Sequence, residues 1–408
     1  MTKPQFNDKL TLPCGSLVRN RFLKSAMSEA MATKDHAPGR RLERLYATWS
    51  EGGAGILVTG NVMIDSSQLG EPGNVVVENE TCLHLLKSWA KCGTGNGNHL
   101  WVQLNHPGKQ SPGFLNPEPV APSAVPLKLK GFKPPRALEQ DEIQDIVYRF
   151  GQSAAIVKKA GFTGVQIHGA HGYLVSQFLS PHHNRRNDQY GGDINNRVRF
   201  LSRIYSAIRD NVGPDFPISI KINSADFQRG GFTEDESLHV IKHMADMGID
   251  LIEISGGNYE APAMMSAKKG SERTRSRDAY FLNCAGRIRA LIDTPLAVTG
   301  GFRSAKAMSE ALQSGALDII GLARPMVLHP DMTNRILGGE DYVSPVKPFI
   351  STGVKALDRA LMINLTWYTR QLARIGSGKQ PRADLSPLKA AFDLLLKTGW
   401  QNFIRTRA

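Results

Sequence analysis

Residues Asp141–His168 read D-E-I-Q-D-I-V-Y-R-F-G-Q-S-A-A-I-V-K-K-A-G-F-T-G-V-Q-I-H, and this stretch decides the fold. Apolar side chains recur every three or four positions through Asp141–Ala160, which predicts a helix with one buried face. The pattern then changes to a short β-rich run, Thr163–His168, which predicts a buried strand. A helix followed by such a strand is the unit from which parallel α/β sheets are built.

The same alternation continues through most of the chain. Eight short apolar runs are predicted strands, and segments with helical periodicity separate them. The runs are Arg21–Met27, Gly55–Gly60, His99–Asn105, Thr163–His168, Ile218–Asn223, Leu251–Ser255, Leu296–Thr299 and Asp318–Gly321. Eight strand–helix repeats predict the α/β class and a single (β/α)8 TIM barrel. A doubly wound sheet is the main alternative, but it would not ordinarily need eight evenly spaced units.

Two parts of the chain do not fit the repeat. His106–Pro135 carries eight of the 23 prolines, so it is predicted to be a non-helical excursion over the barrel mouth. Residues 342–408 follow the eighth unit, and Val354–Ile375 and Pro387–Ile404 have helical patterns. The packing residues expected in these helices are Trp367, Tyr368, Trp400 and Phe403.

We therefore predict a barrel over residues 1–341 and a helical extension over residues 342–408. The extension would pack on the barrel or on a partner subunit, and the sequence does not decide between a monomer and a homo-oligomer.

Composition narrows the class of protein. A chain of 408 residues suits one barrel with an extension. No apolar run reaches the ~20 residues that span a bilayer, and Met1–Leu10 lacks a secretory signal, so no membrane partner and a cytoplasmic location are expected. The cysteines are scattered without a C-x-x-C pair, which argues against disulfides, zinc and iron–sulfur clusters. No metal site is predicted.

The net charge of +13 raises the question of nucleic acid. No block of five Lys or Arg residues occurs, and no nucleic-acid reading motif accompanies the charge. We expect a solvated basic surface that also attracts anionic cofactors, and no nucleic-acid partner.

Strand ends carry the chemistry of a parallel barrel. The first strand ends in Ser25, Ala26, Met27 and Ser28, a small segment that can lie flat under a planar ring. The second ends at Gly60, where a glycine lets a ligand approach the backbone. The third carries Gln103, whose carboxamide both donates and accepts hydrogen bonds.

The later strands add charge. Lys221 stands in an apolar run on the fifth strand, and a buried ammonium requires an anionic partner. Gly300 and Gly301 end the seventh strand, and Ala323 and Arg324 follow the eighth. Exposed backbone N–H groups and a bidentate cation at these two loops predict a site for a phosphorylated cofactor.

The fourth strand ends in His168, with His171 and Tyr173 close behind. Two imidazoles can donate hydrogen bonds to one oxygen, and a phenol can pass a proton. A buried polar loop whose histidines bond backbone carbonyls is the structural alternative, and the spacing favours function.

These residues belong to two longer motifs. H-G-A-H-G-Y-L at 168–174 and N-R-R-N-D-Q-Y-G-G-D-I-N-N-R at 184–197 resemble the signature of the old yellow enzyme family of FMN-dependent ene-reductases. The resemblance covers about residues 5–335 and includes N-R-F-L-K-S-A-M-S at 20–28. It implies that FMN binds at residues already singled out on the other strands, namely Ser25–Ser28, Gly60, Gln103, Lys221, Ala323 and Arg324. The strand-end argument adds Gly300 and Gly301 to this set.

The resemblance also implies a reaction. NADH or NADPH, the co-substrate, would reduce FMN, which would then reduce the C=C bond of an α,β-unsaturated carbonyl or nitro compound. His168 and His171 would bind the substrate oxygen, and Tyr173 would donate the proton. The sequence departs from common members at Ser28, where many relatives have Cys or Thr, and at Lys221, which replaces an Arg and loses its planar fork.

Other functions remain open at this point. An FMN barrel could act on a nitrate ester, a dienoyl thioester or an RNA uridine. A flavin-free phosphate-binding lyase would need a Schiff-base lysine, for which Lys221 is the candidate. A flavin-binding protein without catalysis is a third alternative. The physiological substrate is not readable from the sequence.

Overall fold

A computed structural model describes residues 3–255, 282–347 and 349–398 of the chain. Eight parallel strands form its central sheet. They are β1 Phe22–Lys24, β2 Ile56–Met63, β3 His99–Asn105, β4 Gly164–Gly169, β5 Ile218–Asn223, β6 Leu251–Ser255, β7 Leu296–Thr299 and β8 Ile319–Leu322. Because β1 pairs with both β2 and β8, the sheet closes on itself. The predicted TIM barrel is confirmed.

Helices surround the barrel and continue beyond it. They are α1 Arg40–Glu51, α2 Leu83–Thr94, α3 Gln140–Lys159, α4 Leu174–Leu179, α5 Ile194–Val212, α6 Glu234–Asp246, α7 Ala305–Gln313, α8 Pro325–Leu328, α9 Met332–Leu337, α10 Lys355–Ala360, α11 Ile363–Gly376 and α12 Pro387–Thr398. Residues 282–289 are also helical. None of the helices in the described ranges has the length and apolar character that crossing a bilayer demands.

Capping residues define where the outer helices begin. Glu139 and Glu142 form a reciprocal capping box at the start of α3, and Thr233 and Glu236 form another at α6. Asp193 accepts hydrogen bonds from the first backbone N–H groups of α5. The apolar side chains that recur every three or four residues along α3 are buried, as predicted from the sequence.

The barrel interior has two layers of different character. Its lower layer is apolar and includes Leu23, Trp101, Leu251 and Ala297. Side chains two positions further along the same strands also point inward, because strands alternate with a period of two. Those side chains are polar and buried: Ser25, Gln103, Glu253 and Thr299. The polar layer therefore lies at the carboxyl-end mouth, where barrel chemistry occurs.

The proline-rich segment contacts this mouth. Its Val120–Ala121 strand pairs with Arg136–Ala137, and no helix interrupts residues 106–135. Gln110 Nε2 donates to the backbone oxygen of His171 at 3.0 Å. The segment therefore borders the loop that follows β4.

The extension contacts the barrel through α11. Arg41 Nη2 on α1 donates to the backbone oxygen of Ala373 at 3.2 Å. The single helix expected over Val354–Ile375 is instead two, α10 and α11, because Met362 lies between them in a left-handed conformation with φ of 45°. Trp400 and Phe403 lie outside the described residues. The boundary at residue 341 stays a prediction.

Candidate active site

Glu253 is the centre of the polar layer. Lys221 Nζ on the neighbouring strand lies 2.8 Å from Glu253 Oε1. The hydroxyls of Ser25 and Thr299 donate to the same oxygen at 2.5 and 2.6 Å. Burial alone would raise the pKa of Glu253, but the charge and hydrogen bonds of Lys221, with those of the two hydroxyls, hold it below its usual range. The site therefore contains a buried, hydrogen-bonded ion pair.

Glu253 is the anionic partner that a buried Lys221 requires, and the sequence reasoning missed it. The signal was present, since L-I-E-I-S at 251–255 places a charge inside an apolar strand just as I-S-I-K-I-N does for Lys221. A lysine held in this pair is not a free amine, which disfavours the Schiff-base alternative.

Gln103 joins the same network. Its Nε2 donates to Gln166 Oε1 at 2.8 Å, and Gln166 Nε2 donates to Glu253 Oε2 at 2.8 Å. The amides fix one another through strands β3, β4 and β6, so the carboxamide at Gln103 has a defined orientation at the base of the mouth.

His168, His171 and Tyr173 come together above this layer. His168 Nε2 lies 3.0 Å from His171 Nδ1, and the ring centroids of His168 and Tyr173 are 4.7 Å apart. Because His168 pairs with Lys221 in the register between β4 and β5, the histidines and the ion pair share one mouth.

Asn61 and Ser255 extend this cluster at both ends. Asn61 Oδ1 lies 2.8 Å from His168 Nδ1, and Asn61 Nδ2 donates to the Tyr173 hydroxyl oxygen at 3.3 Å. Ser255 Oγ lies 2.7 Å from His171 Nε2. With the Asn61 carbonyl oxygen facing His168, Nδ1 of His168 carries the proton and each imidazole donates to the next group. The Tyr173 hydroxyl oxygen accepts from Asn61, which places the phenol beside the histidine pair.

Both histidines are neutral near neutral pH. Burial lowers the pKa of His171 to about 3, and the positive charge of Lys221 acts in the same direction. Burial, His171 and Lys221 together place the pKa of His168 well below its usual range. The pair therefore offers N–H donors without carrying a charge.

The loop that carries His171 is held in an unusual conformation. His171 has φ of 61°, which a β-substituted residue rarely adopts. Its backbone N–H donates to Asn223 Oδ1 at 3.2 Å. Asn61, Asn223 and Ser255 were missed from the sequence, although each lies in the last residues of a predicted strand or directly after one.

The segment after β1 is partly buried and partly exposed. Ser25 is buried in the ion-pair network, whereas Ala26, Met27 and Ser28 are partly exposed. The Ser28 hydroxyl donates to Glu71. A Cβ atom at Gly60 would overlap the carbonyl oxygen of Met27, so Gly60 allows the backbone after β1 to approach β2 closely.

The predicted phosphate corner contains a small cavity. Gly300 and Gly301 both have positive φ, at 111° and 90°. They line a cavity of about 100 Å³ together with Arg303 and four apolar residues. The backbone oxygen of Ala323 accepts from the N–H of Met326 at 3.0 Å. The Arg324 guanidinium carbon lies 5.9 Å from the ring centroid of Tyr368.

These residues fit FMN. The cavity lining described here includes a cation and no carboxylate, as an anionic phosphate requires. The hydroxyl of Tyr368 is buried without a hydrogen-bond partner in the described chain, as expected where a polar ligand group is missing. Within the described residues, no cluster of three or more His, Cys, Asp or Glu side chains is arranged for a metal ion.

Comparison with known proteins supports the same cofactor. A sequence model of the NADH:flavin oxidoreductase / NADH oxidase family matches residues 14–341. The chain is 34% identical over 353 residues to the NADH-dependent flavin oxidoreductase iliE of Hypocrea jecorina, covering 80% of this chain and 88% of that protein. It is 37% identical over 338 residues to the NADH-dependent flavin oxidoreductase nadA of Aspergillus parasiticus, covering 79% and 76%.

Solved structures share the fold. A 2-naphthoyl-CoA reductase complex superposes with a TM-score of 0.77 at 26% identity, covering 83% of this chain and 53% of that one. Morphinone reductase superposes with a TM-score of 0.71 at 23% identity, covering 86% and 95%. The family match and the relatives agree with the resemblance carried by the motifs at His168 and Asn184. The chain belongs to the NADH:flavin oxidoreductase / NADH oxidase family, which includes the old yellow enzymes, and it is an oxidoreductase that uses FMN and NAD(P)H.

Proposed function

We propose that this oxidoreductase reduces the activated C=C bond of α,β-unsaturated carbonyl or nitro compounds. The observation that carries the proposal is the convergence of His168, His171 and Tyr173 beside one another above the buried Lys221–Glu253 pair. Bound FMN supplies hydride chemistry, with NADH or NADPH as the source of electrons. The residues of the chain bind, polarise and protonate the substrate.

His168 and His171 have the properties that polarising an oxygen requires. They are neutral imidazoles positioned by Asn61 and Ser255, and a substrate carbonyl or nitro oxygen that displaces their present acceptors can accept an N–H from each ring. The negative charge that grows on this oxygen during reduction is stabilised more strongly than the neutral oxygen, which lowers the barrier.

Tyr173 is the proposed proton donor. Its hydroxyl oxygen accepts from Asn61 Nδ2, which holds the phenol in a defined position at the barrel mouth. Its ring lies 4.7 Å from that of His168 at a tilt of 58°, so the phenol is near the place where the substrate oxygen is held. Proton transfer to the α-carbon completes the reduction.

The proposed FMN residues divide by position. Ser25, Gln103 and Lys221 lie in the buried polar layer, and Ala26, Met27, Ser28 and Gly60 lie around the end of β1. Gly300, Gly301, Ala323 and Arg324 form the phosphate end. The positive charge of Lys221 favours a negatively charged reduced flavin, although Glu253 offsets part of that charge.

A phenol titration tests the oxygen-binding role. A para-substituted phenol added to the FMN-bound protein should give a long-wavelength absorption band, because a phenolate oxygen resembles the enolate oxygen formed in the reaction. Replacing both His168 and His171 with Ala should weaken phenol binding by about a hundredfold or more, since two hydrogen bonds to a charged oxygen are lost. Unchanged phenol affinity would sink the assignment.

Two further variants sharpen this experiment. Replacing His239 and His243 with Ala also removes two histidines, but from outer helix α6, and should leave phenol binding unchanged. Tyr173→Phe should keep the phenol band while slowing enone reduction by about a hundredfold or more, because only the proton donor is removed. Turnover of nitroalkenes and enones, compared with aromatic acyl-CoA thioesters, decides the substrate class, since the 2-naphthoyl-CoA reductase is a structural relative.

A further inference from the structure

Helix α11 of the C-terminal extension contacts the segments that follow strands β1 and β8. Its residue Thr369 donates from Oγ1 to the backbone oxygen of Ser28 at 3.4 Å. The preceding residue, Tyr368, has its ring centroid 5.9 Å from the guanidinium carbon of Arg324. Since β1 and β8 are adjacent in the barrel, two consecutive residues of the extension contact two separate segments of the proposed FMN site.

The helix is firmly placed there. Trp367 Nε1 donates to the backbone oxygen of Leu385 at 2.8 Å, and Arg41 of α1 donates to Ala373 at the other end of α11. Both Trp367 and Tyr368 are buried. Tyr368 therefore has a fixed position next to Arg324.

The hydroxyl of Tyr368 is buried and lacks a hydrogen bond within the described residues. Only 6% of the side chain is exposed, and its oxygen has no hydrogen-bond partner among the described residues. A buried polar group without a partner is costly, and such groups in native proteins usually mark a bound water, ion or ligand.

The surroundings of this hydroxyl select an anion. Burial raises the pKa of Tyr368, while the charges of Arg324 and Arg303 act to lower it, so two cations lie within electrostatic range of the phenol. Arg303 lines the cavity of about 100 Å³ that also contains the backbone of Gly300 and Gly301. Two guanidinium groups within electrostatic range of the phenol also attract an anion, and a negatively charged oxygen bound there can accept from the Tyr368 O–H.

We propose that Tyr368 is a cofactor-binding residue whose hydroxyl donates a hydrogen bond to the phosphate of FMN, so that the C-terminal extension completes the phosphate site. The inference rests on the proposed placement of the phosphate at Arg324 and the two glycines. It gives the extension a function in cofactor retention, in addition to packing on α1.

Binding of two flavins to the apoprotein tests this role. FMN and riboflavin share the ring system and differ in the phosphate, so the ratio of their dissociation constants reports the phosphate site alone. Tyr368→Phe should weaken FMN binding by about tenfold and leave riboflavin binding unchanged, because it removes a hydrogen bond to a charged group and keeps the ring. Quenching of flavin fluorescence measures both constants.

Tyr342→Phe is the matched control. Tyr342 is also a buried tyrosine with an arginine, Arg335, 5.3 Å from its ring centroid, but its hydroxyl is already partnered by His329 Nδ1 at 3.1 Å. This variant should bind both flavins as the wild type does.

The outcomes separate the two proposals. Wild-type FMN affinity in Tyr368→Phe, or an equal loss for FMN and riboflavin, would overturn the role of Tyr368. A wild-type protein that binds riboflavin as tightly as FMN would contradict the phosphate site itself. Failure of the ene-reductase proposal would appear elsewhere, as an FMN-bound wild-type enzyme that does not reduce enones or nitroalkenes.

Discussion

Lys221 and Glu253 depend on each other in the buried layer of the barrel. Removing one partner of such a pair leaves a buried charge uncompensated, which is far more costly than removing both. Their separation is 2.8 Å, and both side chains are nearly inaccessible to water. The pair therefore links the stability of the barrel to the electrostatics of the cofactor site.

We expect Lys221→Met to lower the free energy of unfolding of the apoprotein by about 3–5 kcal/mol. Adding Glu253→Gln should restore most of that loss, because the remaining buried group is then neutral. Urea unfolding of the single and double variants measures both values.

The matched control is Lys242→Met. Lys242 is also 2.8 Å from a carboxylate, that of Asp246, but both are exposed on α6. We expect a change of about 0.5 kcal/mol or less, as for other exposed pairs. A Lys221→Met variant no less stable than this control would refute the buried-pair account.

The site residues that the sequence predicted were those with local signals. Lys221 stands out in an apolar run, and His168, His171 and Tyr173 form one short motif. Glu253, Asn61 and Ser255 were missed because their importance comes from pairing between strands that are distant in sequence. Pairing of this kind depends on the register between neighbouring strands and on which side chains point into the barrel. Both are known only from the closed barrel.

Arg186 connects the proline-rich segment to the loop that precedes α5. Its Nη1 donates to the backbone oxygens of Pro122 and Leu138 at 3.0 and 2.6 Å, while its other nitrogens bind Asp188. Thus the second motif of the resemblance has a structural role: Arg186 holds the proline-rich segment at Pro122 and the chain just after that segment at Leu138.

We expect Arg186→Ala to make residues 106–135 about tenfold more susceptible to limited proteolysis, because two carbonyls lose a charged donor and the segment opens more often. Arg199→Ala is the control, since Arg199 donates to the backbone oxygen of Gln189 on the exposed side of the same region. Equal cleavage rates in the two variants would show that Arg186 does not hold the segment. Mass spectrometry of early fragments locates the cuts.

At this scale the strands were predictable and the extension was only partly so. Runs of apolar residues identified all eight barrel strands, with ends that differ by a few residues. This was possible because a parallel strand that is buried on both faces is apolar along its whole length. The break between α10 and α11 was not predictable, because methionine is not a residue type that favours the left-handed conformation found at Met362.

The whole molecule carries buried neutral histidines, and this determines its response to acid. Burial lowers the pKa of His106 to about 4 and that of His183 to about 3, as it does for His171. An unfolded histidine titrates near 6.5, so the unfolded chain binds more protons between that value and the folded pKa. This part of the stability is complete above about pH 6.5 and is lost as the pH falls, down to about 4 for His106 and about 3 for His171 and His183. Burial raises the pKa of Glu29 and Asp226, which act in the opposite direction.

A single variant isolates one of these titrations. The His183 ring lies 2.9 Å from Lys109 Nζ, and His183→Asn can keep an acceptor for that ammonium. We expect the loss of unfolding free energy between pH 7 and pH 5 to be about 2 kcal/mol smaller in this variant than in wild type. His84→Asn, at an exposed position of α2, should show the wild-type loss. Identical pH dependence in all three proteins would contradict the account.

The bond between His168 and His171 makes substrate binding a competition. Their N–H groups already have partners inside the protein, so under the proposed function an oxygen that accepts from both rings must replace the bond to Asn61 and the bond between the two rings. Exchange of one neutral hydrogen bond for another yields little, whereas an oxygen that carries partial negative charge gains more. Ethers, alcohols and water are therefore poor competitors, and conjugated carbonyl, nitro and phenolate oxygens are favoured. The histidine pair thus discriminates by the basicity of the ligand oxygen before the shape of the substrate is tested.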